Sequence, residues 1–532
     1  MEMPWRGRWR RTGKAALPVS SNGRVFRLLI CALAAHAGFA ANLLFTEGLD
    51  ALKRGDFTTA EGKLKAELQS HPNEVEALSF LGVALDNQKK FAEAEALHRR
   101  ALALAPGSNS ILDKYASHLL VAGDEAGARR TFLKSLALDP ADGYANLQLA
   151  QLALKANDGP EALKYLDRLS TEQAGKPDVV SRRVVALELS GRRAEAQSLA
   201  AAFRTDADWN AFTGRALADA GELNGAETLF ENALAASPDS FPLLFGLGVV
   251  ASHTGHYTRS REILETALRQ QPRNADVLYS LAYASDAAGQ DGDAFRLLAQ
   301  AAQVAPGRAD IQRSLATAAA NLGEYKASAD AWDAYVKLDP DDDTGRRERG
   351  FAQAHIGQID AGLADLRWFV ARHPGDAEAW YELGIAESAK DPDTGMSSLD
   401  KAIALKPDFM AARSVRGALY YREGKPEAAL PDLELAAAGE PGSAMIQYRL
   451  GQVYLALDRL SDALRYFRRA AELAPNDYPA QVHLANALAE AGQTAESDAI
   501  MERIRNWPVR KDASSSDLLD RMSPGGGSVT SR

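Results

Sequence analysis

An all-α solenoid is the fold class this chain predicts, and three observations carry it. Proline recurs on a 34-residue clock: Pro72, Pro106 and Pro140 are 34 apart, and so are Pro238, Pro272, Pro306, Pro340 and Pro374. Pro407, Pro441, Pro475 and Pro508 follow at intervals of 33, 34, 34 and 33. Between the prolines run paired apolar stripes of helical period. The composition, 46% hydrophobic and rich in Ala and Leu over 532 residues, suits a long helical array. A repeat of this length is one supersecondary unit that can bury its apolar face only against copies of itself.

One unit shows the logic. From Val75, residues Leu78, Leu81, Gly82 and Leu85 form a stripe near 3.6-residue period, which predicts a first helix. Asn87-Gln-Lys-Lys90 is a polar break. Phe91, Ala94, Leu97, His98 and Ala101 form the second stripe. Pro106 cannot continue a helix and restricts its predecessor, so the second helix ends near Ala105. Small residues recur where the two helices cross: Gly82 with Ala94, Gly214 with Ala226, Gly248 with Ser260, Gly451 with Ala463. Gly123, Gly221, Gly255, Gly289, Gly323, Gly357, Gly424 and Gly492 share one phase, where a helix ends and a left-handed residue costs least.

This helix–turn–helix resembles the tetratricopeptide repeat (TPR), with Leu-Gly in the first helix, Ala then an aromatic in the second, and a closing Pro. Leu450, Gly451, Tyr454, Ala463, Phe467, Ala470 and Pro475 carry the pattern most fully. The resemblance implies a right-handed superhelix of about fourteen units and a bacterial exported TPR-array protein. Units 1–3 fall in 41–142, two degenerate units in 143–206, and units 6–14 in 207–510. In the degenerate stretch the spacing is four residues short, and Pro160 and Pro177 are out of phase.

Both ends differ from the array. Seven basic residues from Arg6 to Arg27, the apolar run Leu28–Ala35 and the small residues to Ala40 read as a signal peptide over 1–40. The rival reading is an uncleaved membrane anchor over Leu28–Phe45, which would consume Leu44 and Phe45 of the first repeat. Either way the expected location is exported, periplasmic or envelope-associated, and membrane contact would come only through an uncleaved N-terminus. The tail 511–532, with Pro524 to Gly527, is expected to be disordered. Within it, Asp517–Met522 could form one turn against the last repeat. Cys31 is the single cysteine and lies inside the leader, so no disulfide framework is expected in the array.

Charge narrows the partners. The chain carries −10, and the first forty residues hold seven of its 61 basic but one of its 71 acidic groups, so the remainder stands at −16. Without a basic stripe, nucleic acid is not an expected partner. No phosphate loop, paired-His zinc helix or serine elbow is present, so neither an enzyme nor a cofactor is expected, and no metal site is assigned. His253 and His256 flank the turn residue Gly255, and Asp341–Asp343 reads as helix capping.

The positive signal is a stripe at the fifth and ninth residues of the first helices, the helices that in the resembled family line a concave groove. It runs through Phe245, Tyr279, Tyr283, Arg313, Arg347, Phe351, Tyr381 and Tyr448, with Tyr421 one turn further on. Aromatics and Arg anchor interfaces. One reading is a groove for a peptide or protein partner, or for a polysaccharide. The other is that these rings pack between repeats. Asp113 and Ser117, at the same positions, do not match the carboxylate clamp of chaperone-binding relatives. The sixth residues show no Asn ladder like that of the nucleotide-sugar transferase.

Overall fold

The computed structural model describes residues 43–505. The leader, the rival anchor's apolar segment before Leu43 and the tail lie outside them. Among the described residues every regular element is helical. In sequence the described α-helices fall into fourteen consecutive pairs, with one single-turn helix left over.

The array divides into two compact units. The first contains the described residues up to Pro272 together with Tyr283–Ala288; the second contains Arg273–Ala282 and the described residues from Gly289. The first unit opens with α1 (Leu43–Arg54) and α2 (Phe57–Ser70), then α3 (Val75–Asn87) and α4 (Phe91–Leu104), then α5 (Asn109–Val121) and α6 (Glu125–Leu138). It continues with α7 (Gly143–Lys155), α8 (Gly159–Leu166), the single turn α9 (Thr171–Ala174), α10 (Pro177–Leu189) and α11 (Arg193–Ala200). Next come α12 (Ala207–Asp219), α13 (Leu223–Ala236), α14 (Phe241–His253) and α15 (Tyr257–Gln270). Helix α16 (Ala275–Ala287) contributes to both units. The second unit holds α17 (Asp291–Val304), α18 (Ala309–Asn321), α19 (Tyr325–Leu338), α20 (Asp343–His355) and α21 (Ile359–Arg372). It ends with α22 (Ala377–Ser388), α23 (Pro392–Leu405), α24 (Met410–Arg422), α25 (Pro426–Gly439), α26 (Ala444–Ala456), α27 (Leu460–Leu473), α28 (Tyr478–Glu490) and α29 (Thr494–Arg505).

Local chemistry sets these boundaries. Ala105 caps α4, its N–H bonding Ala101 O at 3.0 Å, and Pro106 follows. All eight phase-locked glycines of the inter-helix turns have positive φ, from 72° to 93°. Asp124 accepts from Gly127 N at 2.7 Å and Asp206 from Trp209 N at 3.0 Å, satisfying donors that a helix start leaves open.

The glycines of the first helices have a defined partner. A Cβ on Gly248 would lie 2.5 Å from Leu264 Cγ, and one on Gly451 would lie 2.7 Å from Phe467. The side chain four residues beyond the small residue of the second helix lies flat over the glycine, and each such burial is worth roughly 1.5–3 kcal/mol.

The out-of-phase prolines have a physical reason. Pro160 and Pro177 sit in the first turns of α8 and α10, where a missing N–H costs nothing, so they begin helices rather than closing units. Helix α8 has 8 residues where α6 has 14. The shortfall is bridged by α9, whose start is a reciprocal Ser170–Gln173 capping box.

Candidate functional site

The fifth position of the first helices is less open than a surface stripe would be. Ser79, Asp113, Ser181, Phe245 and Ser414 are buried there. Successive first helices touch along this face. Thr213 donates to Ser181 at 2.9 Å, Ser117 and Tyr144 hydroxyls lie 2.8 Å apart, and Arg449 donates to Ser414 at 3.0 Å. The clamp positions Asp113 and Ser117 are therefore interior. Helical periodicity gives a direction around each helix but does not report what a neighbouring repeat lays over it.

In the first unit, Phe245 is buried and stacks on Phe241 at 6.2 Å, while half-buried Tyr283 stacks on His253 at 5.4 Å. In the second unit, all seven remaining candidates are half-buried. Tyr279 lies under the Arg308 guanidinium at 5.9 Å, and burial raises its hydroxyl pKa. Arg313 lies over Tyr335 at 6.0 Å. Phe351 meets His355 edge-on at 4.2 Å, and Tyr381 packs on Phe409 at 5.0 Å. Tyr421 packs against the core of the last hairpins, and burial raises its hydroxyl pKa too. Tyr448 contacts His483, its hydroxyl 3.2 Å from Nδ1. Each of the five rings among these residues is therefore packed against a neighbour and still partly exposed.

Arg347 is the electrostatic centre of this series. It pairs with Glu382 at 3.1 Å, Glu348 at 3.1 Å and Asp376 at 3.6 Å, and lies 5.6 Å from the Phe369 ring. Burial opposes its charge, but the surrounding carboxylates outweigh burial and raise its pKa.

A constellation missed in the sequence lies across α3, α4 and α5. The buried Asp86 carboxylate receives His98 Nε2 at 3.1 Å and His118 Nδ1 at 2.6 Å. His118 Nε2 lies 2.7 Å from Glu95 Oε2. Glu95 is held by the Tyr115 hydroxyl at 3.0 Å and by Arg99. Burial lowers the pKa of His98; His118 is also buried, but Asp86 and Glu95 raise its pKa. His98 Nδ1 is buried with no hydrogen-bond partner. Its ligand-type side chains come from three different helices, so no short motif exposes it. His253 and His256, by contrast, face different partners: His253 Nδ1 meets Val249 O at 2.8 Å and His256 meets Glu227 at 2.9 Å. Asp342 caps α20 on Thr344 N at 3.0 Å, while Asp343 pairs with His373 at 2.8 Å.

Tetratricopeptide repeat profiles match residues 45–109, 116–177, 217–283, 352–408 and 444–477, more than half of the chain. The chain belongs to the tetratricopeptide repeat family. The TPR fold is typically that of a non-enzymatic protein-interaction scaffold. Cellulose synthase operon protein C of Pseudomonas fluorescens (strain SBW25) is 28% identical over 238 residues, covering 41% of this chain and 19% of that protein. The chain thus spans under a fifth of that relative's length. Among solved structures, the Cut9–Hcn1 hetero-tetramer of the APC/C is 15% identical, covering 88% of this chain and 99% of that one, at a TM-score of 0.39. YrrB, titled a TPR protein with an unusual peptide-binding site, is 22% identical over 34% of this chain and 95% of its own, at 0.33. TTC0263 of Thermus thermophilus is 26% identical over 34% of this chain and 100% of its own, at 0.31.

Proposed function

We propose that this TPR array is a non-catalytic scaffold outside the cytoplasm that holds an extended peptide or protein partner on the first helices of its second unit. The observation that carries the reading is the recurrence of half-buried Tyr279, Arg313, Arg347, Phe351, Tyr381, Tyr421 and Tyr448 on those helices. An anchoring side chain with one edge fixed by its neighbours loses little entropy on binding, which is why Tyr and Arg dominate interface energetics. The basic and apolar N-terminal sequence supports the location. Fusing residues 1–60 to a reporter active only outside the cytoplasm tests it, and a silent reporter removes the envelope from the proposal.

Polysaccharide association is the second reading, favoured by the likeness to Cellulose synthase operon protein C. Tyr and Phe faces stack on sugar rings as well as on peptides. A displayed peptide library and a glycan array, probed with the same purified chain, separate the two. The protein-partner reading expects peptide hits that weaken at least tenfold in a Tyr381→Ala/Tyr421→Ala double variant. Glycan hits with the same sensitivity would transfer the function to the second reading, and hits indifferent to both substitutions would remove this face from either.

A further inference from the structure

The repeat supplies its own control for the buried cluster in the first unit. The position of His98 is the one whose side chain covers the glycine or alanine of the first helix. In other repeats it holds Leu64, Phe132, Phe230, Leu264, Leu433 and Phe467. Here an imidazole fills it, and a Cβ on Gly82 would lie 2.5 Å from His98 Nε2. His118 stands where other repeats place Ala84, Val250, Ala284, Ala352 and Ala386. Two core columns that are otherwise apolar thus turn to imidazole in adjoining repeats, and both rings converge on one carboxylate. Burying polar groups in apolar columns costs stability unless they are hydrogen-bonded or bind a ligand, and here both rings are spent on a single carboxylate while His98 Nδ1 has no partner.

We propose that Asp86, His98 and His118 form a binding site for a divalent cation of the zinc class. Their ligand atoms all lie within 4.8 Å of one another, and two imidazole nitrogens with one carboxylate oxygen are a donor set that such cations take, leaving a fourth position for water. Binding displaces the protons that now bridge Asp86 to the two rings. The Asp86–His118 separation then widens from 2.6 Å to roughly 3.3 Å, the spacing of two atoms about 2 Å from a tetrahedral centre.

The surroundings suit the task. With Nδ1 of His118 on the cation, its Nε2 faces Glu95 Oε2 at 2.7 Å, an oxygen otherwise without a hydrogen-bond partner, and the negative carboxylate favours the tautomer that carries the proton on that side. Tyr115 and Arg99 hold Glu95 in turn. Asp86 and Glu95 together offset a double positive charge. His118, Glu95 and Tyr115 also line a solvent-open hollow of about 570 Å³, which gives the cation an entry path and its water ligand. Because the three ligands come from α3, α4 and α5, the cation would tie two consecutive repeats together. This site is independent of the partner face in the second unit.

The test uses the purified chain after dialysis against EDTA. Calorimetric titration with zinc chloride is expected to saturate at one ion per chain and to raise Tm. Cobalt(II) is expected to give the intense visible bands of a tetrahedral site. His98→Leu restores the residue that other repeats use, so it should fold with unchanged far-UV circular dichroism, lose the zinc-dependent rise in Tm and abolish the cobalt bands. His118→Ala, also a residue common at its position, provides the same readout if the first variant misfolds. Failure of the unsubstituted chain to take up either metal overturns the proposal. So does uptake that survives the substitutions.

Discussion

Asp113 shows what one buried side chain does to the pH response of the fold. It is 2% exposed on α5, and burial, reinforced by the negative charge of Asp142, pushes its carboxyl up to about 8. Lys114, Ser135 and Tyr144 also surround it. In the unfolded chain the group ionises near pH 4. Between roughly pH 4 and 8 the folded state therefore binds the extra proton, and stability falls as pH rises until the penalty saturates above about 8. Asp113→Asn keeps a neutral hydrogen-bonding group and removes that penalty. Urea denaturation should show the variant gaining up to a few kcal/mol over the parent at pH 8 and almost nothing near pH 4. An equal difference at both pH values would show that Asp113 is not protonated in the folded chain.

At the scale of the helix hairpin, the glycines divide into two kinds that one experiment distinguishes. Gly248 faces Leu264, which is fully buried, so Gly248→Ala overpacks the crossing at a cost of about 1–3 kcal/mol. Gly255 has open space around its Cβ but φ +89°, so Gly255→Ala costs about 1–2 kcal/mol through the backbone alone. Combining each with Leu264→Ala should give strong non-additivity for Gly248 and simple additivity for Gly255. Additivity in both cases would mean that the Gly248–Leu264 contact does not set the crossing distance.

These hairpins were legible in the sequence because their signals are prohibitions. Pro106 cannot continue α4, and a residue such as Gly255 is needed where φ turns positive. The stripe through Phe245 and Tyr448 was legible as a direction but not as an environment, since burial there depends on the next first helix. The Asp86–His98–His118 cluster escaped a search for i, i+3 and i, i+4 pairs because its members join through tertiary packing. Aligning His98 with Leu64 and Phe132 at the 34-residue period is the signal that would have found it.

Across the whole array, stability is distributed along the chain, and this has a measurable consequence. Within each unit, the substantial packing of the helices is against hairpin partners and adjoining hairpins. Such a chain behaves as a sum of repeat stabilities and nearest-neighbour couplings, so a local loss is felt only a repeat or two away. Leu64 is fully buried on α2, and Leu64→Ala should cost about 2–5 kcal/mol. Amide hydrogen exchange read by mass spectrometry should then show accelerated exchange in α1–α4 and unchanged protection in α12–α15 of the same unit. A uniform rise in exchange throughout the unit would instead describe a single cooperative core. The same measurement after zinc addition should slow exchange in α3–α5 alone, because only those helices supply Asp86, His98 and His118.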